Sequence, residues 1–132
     1  MYVYFLIGLG GALGSMARHL CSMLALSRFG DAFPWGTVFI NIAGSLAIGF
    51  FARLNDPAAR LSLSPDIRMF LMAGVCGGFT TFSAFSLQTL DLLQAGEMMR
   101  AGANIALSVV CCVAATWAGQ WLAGAYNASP SN

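Results

Sequence analysis

Lysine is absent from this 132-residue sequence, and charged residues of any kind make up only 8% of it. A soluble domain typically carries about 25% charged residues, so this scarcity argues against a water-soluble domain and indicates a protein of the lipid bilayer. Six arginines nearly balance five acidic residues, giving a net charge of +1. That balance leaves no polybasic surface, so we expect no nucleic-acid partner.

Paired cysteine motifs and a basic N-terminal region are also missing. The four cysteines form no CxxC pair and lie in apolar surroundings, which favours buried side chains over a disulfide framework or a zinc site. The N-terminus is apolar from Tyr2 onward and lacks the positive start of a signal peptide. We therefore expect the first hydrophobic segment to be retained as a membrane span.

Long apolar stretches are what the sequence does contain, since 58% of its residues are hydrophobic. A membrane helix needs about 20 mostly apolar residues, and the charges divide the chain into stretches of that length. We predict an all-α membrane protein forming one integral membrane domain over residues 1–132. Its four transmembrane helices are expected at about 2–25, 35–52, 67–94 and 101–126. The polar stretch between the second and third contains a predicted turn at Asn55-Asp56-Pro57 and a predicted helix start at Ser64-Pro65-Asp66.

The third predicted span is interrupted by the run Gly77-Gly78-Phe79-Thr80-Thr81-Phe82-Ser83-Ala84-Phe85-Ser86. A helix broken at membrane depth is tolerated only where it is buried in protein or lines a wet cavity. Unwinding from Gly77 to Thr81 would free backbone carbonyls for a cation. Phe82 and Phe85 could offer the positive edges of their rings to an anion, or could simply pack the bundle. This run predicts an ion site.

Small and polar residues recur every four positions on the other spans. Gly10 and Gly14 predict close helix packing on the first span. On the second, Thr37 and Asn41 share one face. There the Asn41 amide either forms an interhelical hydrogen bond or serves as a donor that lines a polar path. The fourth span carries a stripe formed by Asn104, Ser108, Cys112 and Thr116.

Charge placement leaves the orientation of the spans open. An even number of spans places Arg53, Arg60 and Arg68 on one side and two or three arginines on the other, which is too small a bias for the positive-inside rule. Such a chain can insert in both directions and form antiparallel pairs. Arg18, inside or near the end of the first span, is either an interfacial snorkelling residue or a functional charge.

Together these residues resemble the Fluc (CrcB-type) fluoride channels over essentially the whole chain. The resemblance rests on Gly10-Gly11-Ala12-Leu13-Gly14-Ser15-Met16-Ala17-Arg18, on Trp35-Gly36-Thr37 with Asn41-Ile42-Ala43-Gly44-Ser45, and above all on the run from Gly77 to Ser86. It implies a passive fluoride channel, not an enzyme, that exports fluoride across the inner membrane of a bacterium. It further implies an antiparallel, dual-topology homodimer with two pores.

The resemblance also implies roles for individual residues. A structural sodium ion at the dimer interface would be held by the backbone carbonyls of Gly77 and Thr80. The ion pathway would comprise Thr37, Asn41, Phe82, Ser83, Phe85, Asn104, Ser108, Cys112 and Thr116. Departures from the common family pattern occur at His19, Ala84, Gln88, Asn104 and Cys112, and we expect them to bear on pore-mouth electrostatics and conduction rate more than on the function itself.

Two other functions remain open. A small dual-topology multidrug transporter would match the size and span count, but it requires a membrane-embedded carboxylate that the first span lacks. A non-conducting assembly subunit would use the glycine faces for packing alone. Proton-coupled drug flux would identify the transporter, whereas substitution of Phe82 and Phe85 separates a pore from a subunit that only packs.

Overall fold

The computed structural model describes residues 1–54 and 61–128, and all regular structure within these ranges is helical. Four helical segments follow one another along the chain, the third of them made of several pieces. Their bounds are α1 Tyr2–Phe29, α2 Trp35–Arg53, α3 Pro65–Arg68, a π-helical segment Met69–Cys76, α4 Gly77–Phe79, α5 Phe82–Gln94 and α6 Met98–Ala128. The predicted turn at Asn55-Asp56-Pro57 and Arg60 lie outside the described residues.

Within residues 1–54 and 61–128, three segments are long and apolar enough to cross a membrane, namely Trp35–Arg53, Pro65–Gln94 and Met98–Ala128. The first helix spans 28 residues, which is also sufficient in length, but its glycines and the Arg18-His19 pair make it less apolar. An all-helical chain with three apolar spans is therefore established, and the fourth span remains a prediction.

Local sequence signals explain where the helices start and stop. Ser64 caps α3 as predicted, because its Oγ accepts a hydrogen bond from the Ile67 amide at 3.4 Å and Pro65 occupies the first turn. Gly30 and Gly96 adopt positive φ angles of 72° and 77°. Glycine adopts such positive φ angles without strain. Gly30 ends α1, and Gly96 lies in the turn that follows α5.

Close glycine contacts hold the bundle together in two pairs. A Cβ on Gly10 would lie 2.6 Å from the Phe70 carbonyl oxygen, and a Cβ on Gly14 would collide with the Val75 carbonyl oxygen, so α1 packs directly on the π-helical segment. The predicted packing role of these two glycines is thus confirmed. At the other contact, Gly49 of α2 and Gly119 of α6 each meet the backbone of the opposite helix.

Large apolar side chains cover the outside of the single chain. Phe5, Met16, Val110 and Val113 are all more than half exposed, while the buried apolar core is small. An exterior of this kind would be unstable in water but suits contact with lipid or with another protein. Five of the described polar residues are nevertheless buried, namely Thr37, Thr81, Thr89, Asn104 and Ser108.

Candidate functional site

Two extended residues, Thr80 and Thr81, separate α4 from α5. Their φ and ψ angles are −79° and 157° for Thr80 and −151° and 112° for Thr81. Thr81 then caps α5, since its Oγ1 accepts a hydrogen bond from the Ala84 amide at 3.2 Å. The glycine pair Gly77-Gly78 precedes this step, and Thr81 caps the helix that follows it. These residues allow one helix to end and the next to begin within two residues.

Asn41 of α2 holds the extended Thr81 peptide from the side. Its Oδ1 accepts from the Thr81 amide at 2.8 Å, and its Nδ2 donates to the Thr81 carbonyl at 3.0 Å. The side-chain amide thus pairs with both polar groups of a residue that is only 8% exposed. Of the two roles considered for Asn41, the structure contains the interhelical bond, and a second Nδ2 hydrogen remains available.

This arrangement redirects two amide donors away from the backbone. In a continuous helix the amides of Thr81 and Ala84 would bond to the carbonyls of Gly77 and Thr80. Here they donate instead to Asn41 and to Thr81 Oγ1. Gly77 as a whole is exposed and Thr80 is half-buried.

Those two carbonyls suit a hard cation chemically, because backbone oxygens are the ligands that such cations take at helix interruptions. Among the described residues no cluster of three His, Cys, Asp or Glu side chains could hold a metal ion. Thr80 Oγ1 is itself committed to the Cys76 carbonyl at 2.9 Å. That bond uses the hydroxyl proton and leaves the oxygen lone pairs free, so the candidate ligands at this step are neutral oxygens, among them the carbonyls of Gly77 and Thr80.

A cavity of about 390 Å³ lies beside the extended step, between α2, α5 and α6. It brings together five of the predicted pathway residues with Thr80. Its lining comprises Asn41, Gly44, Ser45, Ile48, Cys76, Thr80, Thr81, Phe82, Phe85, Ser108, Val109, Cys112 and Val113. We call this cavity the central groove. It contains hydroxyl, amide and thiol groups, aromatic rings and no charged side chain.

The two phenylalanines of the central groove face different surroundings. Their ring centroids lie 5.3 Å apart with the planes inclined by 47°. Phe85 is 9% exposed, whereas Phe82 is 77% exposed. Because most of the Phe82 side chain is exposed on the surface of the single chain, the central groove is open on that side. A second molecule would be needed to close it.

The predicted stripe on α6 divides into three environments. Asn104 is fully buried and donates from Nδ2 to Thr89 Oγ1 at 2.9 Å, and Thr89 in turn donates to the Phe85 carbonyl at 2.7 Å. Ser108 reaches the central groove, and its buried Oγ has no partner among the described residues. Thr116 bonds back to the Cys112 carbonyl at 3.0 Å, so its hydroxyl is occupied by its own helix.

Thr89 was not among the residues selected from the sequence. Its position is one helical turn after Phe85, on the same face, and that spacing could have identified it. The chain of bonds from Asn104 through Thr89 to Phe85 connects α6 to the buried aromatic residue. Thr89 therefore links α6 to the backbone of α5 one turn from the central groove.

The remaining predicted residues lie outside the central groove. Ser83 is exposed, with its Oγ 3.3 Å from Thr81 Oγ1, and Arg18 is half-buried on α1. Thr37 lines a separate cavity of about 410 Å³ near the end of α1, which also contains Gln88 and the carboxylates Asp31 and Asp91. We call this cavity the acidic mouth.

The family model for CrcB-like protein, Camphor Resistance (CrcB), matches residues 5–120 of this chain. The chain belongs to the CrcB family. The predicted resemblance to CrcB-type proteins is confirmed, and it covers the helices that form both the extended step and the central groove.

Curated relatives of this CrcB protein align with it over nearly their whole length. A protein from Methylocella silvestris is 52% identical over 124 residues, covering 94% of this chain and 95% of its own. One from Opitutus terrae is 50% identical over 127 residues, covering 96% of both chains. One from Rhodospirillum rubrum is 52% identical over 117 residues, covering 89% and 91%. Each of the three bears the name fluoride-specific ion channel FluC.

Proposed function

We propose that this CrcB protein is a passive, fluoride-selective ion channel and not an enzyme. The observation that carries the proposal is the central groove, a cavity whose lining includes Asn41, Ser108 and two phenylalanines and, among the described residues, no charged side chain. The names of the curated relatives support fluoride as the ion. Export down the fluoride gradient across a bacterial inner membrane is the physiological role that we infer.

The chemistry of the central groove suits a small anion that must be partly desolvated. Hydroxyl and amide groups donate hydrogen bonds, and a phenylalanine ring presents a positive edge through its quadrupole. Arginine is absent from the lining, and a fixed positive charge at this depth would hold the anion too strongly, since conduction requires release as well as entry. Weak donors at Asn41 and Ser108 therefore favour flow over tight binding.

The remaining predicted residues extend this pathway beyond the groove. Thr37 would receive the ion at the acidic mouth, and Ser83 would contact it beside the exposed ring. Asn104 and Thr116 would continue the path along α6, on either side of Ser108 and Cys112, which line the central groove itself. Within this set, the bond from Thr116 to its own helix makes it a weaker donor to an ion than Ser108.

We propose a structural sodium ion at the carbonyls of Gly77 and Thr80. Their usual helical amide donors are bound elsewhere, which supports the assignment. When bound, the cation would supply positive charge that keeps the third segment broken. Asn41 contributes by holding the Thr81 peptide extended, so the cation site and the anion groove share one side-chain amide.

We infer that the working form is an antiparallel, dual-topology homodimer with two pores. The exposed Phe82 ring and the exposed backbone at Gly77 support a partner on this face. The weak arginine bias is compatible with insertion in both directions. A second copy would cover the open side of the central groove and bring two sets of Gly77 and Thr80 carbonyls together.

A proton-coupled multidrug transporter is less compatible with the placement of the acids. Among the described residues, Asp31, Asp66, Asp91 and Glu97 lie in loops or near helix ends. A proton relay would need a carboxylate within the membrane-spanning part. No observation on this chain favours that alternative.

Fluoride efflux from vesicles containing the purified protein tests the proposal. Phe85→Ile should abolish most fluoride efflux, because it removes the buried ring edge while keeping an apolar side chain of similar bulk. Leu87→Ile, on the exposed side of the same helix, should conduct as the unmodified protein does. Unchanged efflux in Phe85→Ile with an intact fold would contradict the site assignment.

A further inference from the structure

A third groove lies at the opposite end of the bundle from the acidic mouth, where α2 ends. It is lined by Arg53, Trp117, Gln120, Trp121, Gly124, Ala125 and Ala128. We call it the Arg53 groove. No residue of this groove belongs to the extended step or to the central groove, so the proposed ion pathway does not explain it.

Hydrogen-bond donors are prominent among the polar groups of the Arg53 groove. Arg53 supplies a guanidinium group, each tryptophan supplies an indole N–H, and the described residues of the lining include no acid. The ion pair of the described residues joins Arg100 to Glu97 and does not involve Arg53. The described part of the groove therefore offers positive charge and donors suited to an anionic acceptor.

Gly124 of α6 lies beside Arg53. A Cβ on Gly124 would be 3.9 Å from Arg53 Nε, an ordinary van der Waals distance, so the arginine side chain reaches α6 at this glycine. Arg53 and the two tryptophans line the same groove.

The two tryptophans of this groove differ from the third one in the chain. Trp117 and Trp121 are 69% and 62% exposed, and neither has an aromatic partner among the described residues. Trp35, in contrast, is packed against Phe33 and Phe39 with ring centroids 4.7 and 5.8 Å away. Exposed tryptophans are typical of the level where the hydrocarbon core meets the lipid headgroups.

The length of α6 places the Arg53 groove at that level. Trp117 and Trp121 come about 28–35 Å along α6 from its start at Met98, at about 1.5 Å per residue. The hydrocarbon core is about 30 Å thick. A helix that enters the bilayer near Met98 therefore brings these indole rings to the opposite headgroup region, beside the end of α2.

We propose that the Arg53 groove binds the headgroup of an anionic phospholipid such as phosphatidylglycerol. The phosphate accepts hydrogen bonds from Arg53 and the indole N–H groups, and the acyl chains lie against the exposed tryptophan rings. A net negative headgroup is preferred over a zwitterionic one, because Arg53 adds a positive charge and the described residues of the lining offer no carboxylate to a choline group.

Quenching of tryptophan fluorescence by brominated lipids tests this proposal. Trp35→Phe leaves only Trp117 and Trp121 as reporters and serves as the parent protein. In mixed micelles, brominated phosphatidylglycerol should quench the parent at a concentration about fivefold lower than brominated phosphatidylcholine, as expected for one arginine at a membrane surface. Equal quenching of the parent protein by both lipids would by itself overturn the proposal.

Two charge variants in the same parent locate the site. Arg53→Gln should remove the preference for phosphatidylglycerol, whereas Arg28→Gln, at the exposed end of α1, should retain it. Loss of the preference in both variants would mean general attraction by net charge and would overturn the assignment to Arg53. Soluble glycerol 3-phosphate should not relieve the quenching, and relief would identify a site for a free phosphate ester instead of a lipid.

Discussion

Replacing Asn41 by alanine should disrupt the extended step and the function that we assign to it. The substitution removes both bonds to the Thr81 peptide, at 2.8 and 3.0 Å. An unpaired buried polar group costs about 1–3 kcal/mol, so the two groups together should destabilise the extended conformation by about 2–6 kcal/mol. Even the lower value corresponds to about a 30-fold change in a conformational equilibrium.

The released Thr81 amide also has an alternative partner. It can bond to the Gly77 carbonyl, which would continue the helix and remove one of the two proposed cation ligands. We therefore expect Asn41→Ala to unfold at a lower temperature in detergent and to lose most fluoride efflux from vesicles. Any remaining efflux should no longer depend on sodium.

Ser45→Ala provides the matched control for this experiment. Ser45 lies one turn after Asn41 on the same face of α2 and lines the same central groove, but it makes no bond to the Thr81 peptide. Ser45→Ala should keep the thermal stability and the sodium response of the unmodified protein. If Asn41→Ala and Ser45→Ala gave the same unfolding temperature and the same efflux, the reasoning about the Thr81 peptide would be wrong.

Three further substitutions test other parts of the structure. Gly14→Ala should lower the unfolding temperature because the new Cβ would collide with the facing backbone. Gly8→Ala should not, since the space around a Cβ at Gly8 is open. Equal melting curves for the two variants would contradict the close contact at Gly14. Thr89→Val should cost about 1–3 kcal/mol, measured by thermal unfolding, since the buried Asn104 amide loses its partner; full stability would mean that another group satisfies it. Asp91→Asn should raise fluoride efflux about twofold at low salt. Two unit negative charges about 8 Å apart in water, here the Asp91 carboxylate and an entering fluoride ion, repel each other by roughly 0.5 kcal/mol, and the substitution removes that repulsion. High salt should remove that difference, and a salt-independent effect would argue against electrostatic repulsion at the acidic mouth.

Glycine spacing and capping residues predicted local features of the fold well. Gly10 and Gly14 indicated a close helix contact because small residues one turn apart permit backbone approach, and the observed contacts with the π-helical segment agree. The helix start at Ser64 followed from capping chemistry in the same way. These signals are local, so a sequence without coordinates contains them.

The geometry of the site could not be predicted in the same way, because it depends on contacts between distant positions. Asn41 had two open roles from sequence, and only the position of Thr81, 40 residues later, shows which of its groups are bound. Thr37 shared a helical face with Asn41, yet it lies in the acidic mouth rather than the central groove. Thr89 is not part of a repeating polar pattern in the sequence, so no sequence pattern indicated it.

The fluoride selectivity and energy source of transport in vesicles test the central claim most directly. Purified protein should release fluoride from vesicles down its gradient, as followed with a fluoride electrode, with a potassium ionophore to balance charge. The account predicts rapid efflux that requires no proton gradient and no comparable release of chloride from vesicles loaded with that ion. Efflux that depended on a proton gradient, or chloride release at a similar rate, would contradict the assignment of this CrcB protein as a passive fluoride channel.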